Sequence, residues 1–171
     1  MNGLALNFDY MAPIGNTPIF YQVGAGLRWT FNSQKESYEG LNVKASTNFV
    51  TFRIPLNLAL PINIPSTDIT VVPFVGFVPN LHFYGGETYK VSYEGMSEKE
   101  TINYFSKDDM GVDKFNRFIL GWQAGARIEY SSFYLGLSYE GNISNLYKYT
   151  ESGSKEKINL GYFDISLGYK F

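Results

Sequence analysis

The 171-residue sequence has no cysteine and a single histidine, His82. Without thiols there is no disulfide framework, no thiolate nucleophile and no cysteine-based zinc site. One imidazole cannot build a histidine-rich metal centre either, so no cofactor or metal is expected. A surplus of one charge is missing too. Fourteen basic residues stand against sixteen acidic ones, and this balance lacks the electrostatic footprint of a nucleic-acid binder. No run of about 18 apolar residues occurs, which excludes a transmembrane helix. Met1–Ala12 lacks the basic start and continuous apolar core of a secretory signal, so the expected compartment turns on the pattern of the rest. What the chain does have is 44% hydrophobic residues, 17 glycines, 14 tyrosines and 14 phenylalanines. Such a composition can bury a core and favours strands over helices.

The apolar residues recur at every second position, the period of a strand. Phe163, Ile165, Leu167, Tyr169 and Phe171 share one face, with Asp164, Ser166, Gly168 and Lys170 on the other. The same alternation runs through Leu4–Ala12, Tyr21–Phe31, Val50–Leu60, Ile69–His82, Leu120–Tyr130 and Phe133–Ile143, giving seven strands and no helix. Short turns are expected at Pro13–Pro18, Pro61–Asp68 and Ser131–Ser132. Long polar loops are expected at Asn32–Asn48, Gly85–Arg117 and Lys148–Leu160. Within Gly85–Arg117 the alternation persists in Thr88–Tyr93 and Thr101–Phe105, so a hairpin is expected to project there. Tight turns on one side and long loops on the other are the layout of an antiparallel up-and-down transmembrane β-barrel.

The polar face is rich in small residues (Gly24, Gly26, Gly121, Gly125, Ser138, Ser166), as a crowded interior requires. The apolar face has large aliphatics mid-strand and aromatics such as Trp29, Tyr130, Phe133 and Tyr169 near strand ends, as lipid-facing strands do. The polar face also holds four acids (Asp9, Glu129, Glu140, Asp164) and four bases (Arg28, Arg53, Arg127, Lys170). Eight strands leave an interior that side chains just fill. These charges are therefore expected to pair with one another as a structural plug.

The stretches Phe52-Arg53-Ile54-Pro55-Leu56, Pro73-Phe74-Val75-Gly76, Gly121–Tyr130, Phe133–Tyr139 and the closing Ser166-Leu167-Gly168-Tyr169-Lys170-Phe171 carry a resemblance covering nearly the whole chain. The sequence resembles the small PorT-like outer-membrane β-barrels of Gram-negative bacteria. The resemblance implies an eight-stranded barrel in the outer membrane and outer-membrane lipids as surroundings. Tyr169 and Phe171 are similar to the C-terminal signal read by the barrel-insertion machinery. Members serve in secretion, adhesion and other roles, so the expected function is non-enzymatic: structural, or binding an unidentified protein or glycan through outer loops. Gly85–Arg117, with seven acids, five bases and Tyr89, Tyr93, Tyr104 and Phe105, and preceded by Tyr84, is the richest such loop.

Other chemistry finds thin support. A lipid-modifying hydrolase would need His82 as base, with Ser92 or Glu87 as the nearest partners in sequence. Asp108-Asp109 lacks the spaced oxygens of a calcium loop. Gly24-x-Gly26 lies inside a strand rather than after one, so it is no phosphate loop. The whole of residues 1–171 is read as one domain. Strand parity adds a last expectation. If Gly161–Phe171 ends in the periplasm, Leu4–Ala12 runs the same way, and an even-stranded barrel needs one more strand before residue 1.

Overall fold

The computed structural model describes residues 2–38, 41–93, 96–106, 115–146 and 161–169. They form ten strands: β1 (Asn2–Pro13), β2 (Phe20–Tyr38), β3 (Leu41–Arg53), β4 (Leu56–Ala59), β5 (Ile62–Asn63), β6 (Ile69–Tyr93), β7 (Met96–Asn103), β8 (Phe118–Tyr130), β9 (Phe133–Asn142) and β10 (Gly161–Tyr169). All belong to one antiparallel sheet, whose main path is β1-β2-β3-β6-β8-β9-β10. Among the described residues no helix is long and apolar enough to cross a membrane, which says nothing about crossing by strands.

The seven segments expected from alternation are the seven strands of this path, with two corrections. Val50–Leu60 is not continuous. Pro55 has no N–H to give to a ladder, so the regular ladder is interrupted between Arg53 and Leu56, where single bonds from Gly24 N–H to the Pro55 carbonyl and from Ile54 N–H to the Pro79 carbonyl remain. The register nevertheless carries through unchanged: Arg53 and Leu56 lie opposite Gly26 and Val23 of β2, and opposite Asn80 and Phe77 of β6. So β3, β4 and β5 are pieces of one interrupted strand. The second correction concerns the loops. Asn32–Asn48 is mostly strand, and the projecting hairpin in Gly85–Arg117 extends β6 and adds β7. Polar residues on both faces look like a loop in sequence, yet backbone pairing with a neighbour extends the ladder regardless of side-chain polarity. Lys148–Leu160 lies outside the described residues.

The end of the sheet bearing these extensions is called the upper end. At the lower end, two turns share one device. In Ile14–Ile19 and Ile64–Ile69 the first isoleucine N–H bonds the carbonyl of the second at 2.9 Å, and the hydroxyls of Thr17 and Thr67 bond the first isoleucine's carbonyl. Gly15 and Ser66 take the left-handed backbone these turns require, as Ser131 does between β8 and β9.

Every step along the path is antiparallel, so β1 and β10 run in the same direction. They lie alongside one another, but no ladder joins them among the described residues. The sheet is curled back on itself: Arg28 of β2 reaches Glu140 of β9 and Asp164 of β10. Alternation then divides the residues as the pattern implies, but with the usual polarity reversed. Inside lie Arg28 (2% exposed) and Glu140 (1%); outside lie Leu167 (84%) and Phe8 (72%). The small buried apolar cluster of Phe49, Phe105, Ile119, Leu146 and Tyr162 is local. Phe49 and Phe105 pack on His82, above the buried charges.

Candidate functional site

The interior is a polar network organised around Glu140. Alternation turns it inward on β9, and Gly24, Gly26 and Gly125 make room on the interior face. At Gly26 a Cβ would collide with Asn7, and at Gly125 it would strike the Leu137 carbonyl. Arg28 Nη2 donates to Glu140 Oε2 at 2.7 Å, and Arg53 Nη2 donates to the same oxygen at 2.6 Å. Asn80 Nδ2 donates to Glu140 Oε1 at 2.7 Å. Asp164 takes a further bond from Arg28 Nη2 at 2.6 Å and lies 3.5 Å from Arg53 Nη1. Two guanidiniums thus share two carboxylates, and the four formal charges cancel.

Amides continue the network downward. Arg53 Nη2 bonds Gln123 Oε1, Gln123 Nε2 bonds Asn57 Oδ1, and Asn57 Nδ2 bonds Gln22 Oε1. Nearer the lower end is a second group. Arg127 Nε donates to Glu129 Oε1 at 2.7 Å, while its guanidinium lies over the Tyr134 ring and meets Met11 Sδ. Above, the Arg28 guanidinium lies over Tyr162. Buried charges need such partners, because an ion left unpaired away from water costs several kcal/mol.

Of the eight charges expected to pair, Arg28, Arg53, Arg127, Glu129, Glu140 and Asp164 do so. Asp9 does not. It sits over Gly24, with no ion pair among the described residues. On β1, at the margin of the sheet, it hydrogen-bonds Gln22 and feels the charges of Arg127 and Arg53 beyond ion-pair distance. Lys170 and Phe171 lie outside the described residues. Tyr169 is half-exposed, its ring edge-on to Phe133 at 5.3 Å.

His82 points inward, as alternation requires, and is buried. Its Nδ1 shares a 2.7 Å hydrogen bond with the Thr51 hydroxyl, a partner that sequence proximity does not suggest because it comes from the adjacent strand β3. Neither Ser92 nor Glu87 joins it; Glu87 accepts from the Tyr104 hydroxyl instead. The ring stacks on Phe105 and packs against Phe49. Arg117 holds this cover down, bonding the Phe83 and Phe105 carbonyls from above the Phe105 ring. Tyr104 and Phe105 of the outer loop therefore turn back over the interior. The space enclosed by His82, Thr51, Asn80, Arg28, Glu140 and Tyr162 is about 10 Å³, the size of one water and far below that of an acyl chain. Among the described residues no group of three or more His, Asp or Glu side chains is placed to hold a metal ion. Asp108-Asp109 lies outside them.

No family model, no curated protein and no solved structure matches this chain.

Proposed function

We infer that this chain is an integral outer-membrane β-barrel of a Gram-negative bacterium, of the PorT-like kind, acting without catalysis as a scaffold for its outer surface. One observation carries the reading: the inversion of polarity, with an ion-paired interior and a continuous exposed belt of Leu, Ile, Val and aromatic side chains. In water such a belt would drive aggregation; in a bilayer it is the required surface. The unpaired margins of β1 and β10 fit the same reading. A bilayer tolerates no open sheet edge; a further strand, antiparallel to both, would close the barrel at eight by parting β1 and β10, which approach within 8 Å at Cα in this structure. The lower turns then face the periplasm and the β2–β3 and β6–β7 extensions face outward. Tyr169 and Phe171 would engage the insertion machinery, and outer-membrane lipids surround the belt.

The covered, water-sized space at His82 supports a packing role for that residue over the hydrolase alternative. Two measurements test the proposal. The purified protein should be monodisperse only with detergent or lipid, and a monodisperse detergent-free preparation would overturn the membrane reading. It should also release no fatty acid from phospholipid or lipid A; turnover that disappears in His82→Ala would restore the enzyme.

A further inference from the structure

The registers of the upper sheet bring together four lysines that are far apart in sequence. Lys35 lies directly opposite Lys44, Lys44 opposite Lys90, and Lys90 opposite Lys99, so one straight row crosses β2, β3, β6 and β7. All four are exposed, and none has an ion pair among the described residues. At the strand spacing of about 4.8 Å the row is roughly 14 Å long. Like charges directly opposite destabilise a sheet, so the arrangement costs free energy unless anions neutralise it. The flanking row on the same face, Ser33–Ser46–Thr88–Thr101, supplies hydroxyl donors. Acids are segregated to the other face, where Glu36 and Glu98 point away from the lysines.

The lysine face is continuous with the outward belt, because Lys35, Ser33, Phe31 and Trp29 alternate on one side of β2 and Phe31 and Trp29 are exposed. Lys35 lies four residues above Phe31, about 13 Å along the strand and about 10 Å in height at a tilt near 40°. Resting on the membrane reading above, that height is the headgroup layer just outside the hydrocarbon, within reach of a flexible lysine side chain.

We propose that the Lys35–Lys44–Lys90–Lys99 row is a binding face for net-anionic, phosphate-bearing headgroups of the surrounding lipid leaflet. The ammonium groups neutralise headgroup phosphates, and the serine and threonine hydroxyls donate to their oxygens. Lipid is favoured over a soluble polyanion because the face rises directly from the apolar belt, which places the lipid's chains and its phosphate on one continuous surface.

Native mass spectrometry of the protein in an uncharged detergent tests this with added phosphatidylglycerol or phosphatidylcholine. The parent should retain phosphatidylglycerol selectively. Each Lys→Gln change should weaken retention about fivefold, and all four together by several hundredfold. A charge-matched control, in which Glu36→Lys and Glu98→Lys on the opposite face restore the net charge of the four-lysine variant, should not regain retention. Equal retention by the parent and the four-lysine variant overturns the proposal. So does binding of a short soluble polyphosphate as tightly as phosphatidylglycerol, which would make the face a general polyanion site. Removing exposed, mutually repelling charges leaves folding intact, which the far-ultraviolet β-spectrum verifies. Failure of the membrane reading shows separately, as a protein monodisperse without detergent.

Discussion

Glu140 is the residue on which the interior depends most. Its two oxygens take bonds from Arg28, Arg53 and Asn80 at 2.6–2.7 Å, so removing it leaves two buried guanidiniums with only Asp164 between them. Glu140→Ala should destabilise the protein by about 3–5 kcal/mol, read from urea unfolding in detergent. Asp164→Asn should cost less, because the Asp164 side chain is 23% exposed and water can share its role. Equal effects would mean that the two carboxylates are interchangeable. At this scale the sequence was legible in kind but not in pairing. Alternation placed Arg28, Arg53, Arg127, Glu129 and Glu140 inside, because each falls on the small-residue face of its strand. Which acid meets which base depends on how the curled sheet brings β2 opposite β9, and no local pattern encodes that. Asp9 was expected to pair because its neighbours across the fold were unknown.

The two faces of β9 make opposite predictions for neighbouring residues. Leu137 is half-exposed on the outward face, between Ala126 of β8 and Ile165 of β10, whereas Ser138 points inward beside Gly125. On the membrane reading, Leu137→Arg would place a cation in the hydrocarbon at a cost of about 2–4 kcal/mol and should sharply reduce the membrane-inserted fraction. Leu56→Arg should do the same, while Ser138→Ala should insert normally. Membrane fractionation of the three variants gives the comparison, and similar behaviour would reverse the inside–outside assignment. The strands with clean alternation were readable from sequence, but their extensions were not. In Asn32–Ser37 both faces carry polar side chains, so the period-2 signal vanishes although the backbone remains paired; in Leu41–Asn48 only a short alternation of Leu41, Val43 and Ala45 with Asn42, Lys44 and Ser46 remains, with its apolar side on the face opposite the belt. The lysine row was hidden too: neighbours in it are separated by up to 46 residues, between Lys44 and Lys90, and align only through register. The cover formed by Phe105 over His82 was hidden because a loop's path is set by what it packs against, not by its own periodicity.

For the molecule as a whole, the margin between β1 and β10 is where the proposed barrel is most open to test. Seven strands in antiparallel sequence leave these two running the same way and unpaired. In this structure they approach within 8 Å at Cα, whereas a strand inserted between them would part their Cα atoms to about 9.6 Å, beyond the 4.4–6.8 Å that a disulfide spans. The absence of native cysteine gives a clean background for engineered pairs. In membranes, Leu6→Cys combined in turn with Phe163→Cys, Ile165→Cys and Leu167→Cys should give no disulfide under mild oxidation but should join through a bifunctional maleimide about 10 Å long. A rapid disulfide in any pair would mean that the margins meet directly.

The Glu140 node also has a consequence in time. Every ladder along the path joins strands adjacent in chain order, or separated only by pieces of an interrupted strand or, for β6 and β8, by the β7 excursion, so each pairing can zip locally. The Arg28–Asp164 bond spans 136 residues and the Arg28–Glu140 bond 112. These charges cannot meet until nearly the whole sheet has curled, and they stay hydrated up to that step. Their attraction is then absent from the rate-limiting barrier to assembly and present only after it. Weakening the node should accordingly leave the insertion rate almost unchanged and speed unfolding, by up to about a thousandfold for a loss of 4 kcal/mol. On the barrel reading proposed above, the node would work as a late latch, setting how long the barrel persists rather than how fast it forms.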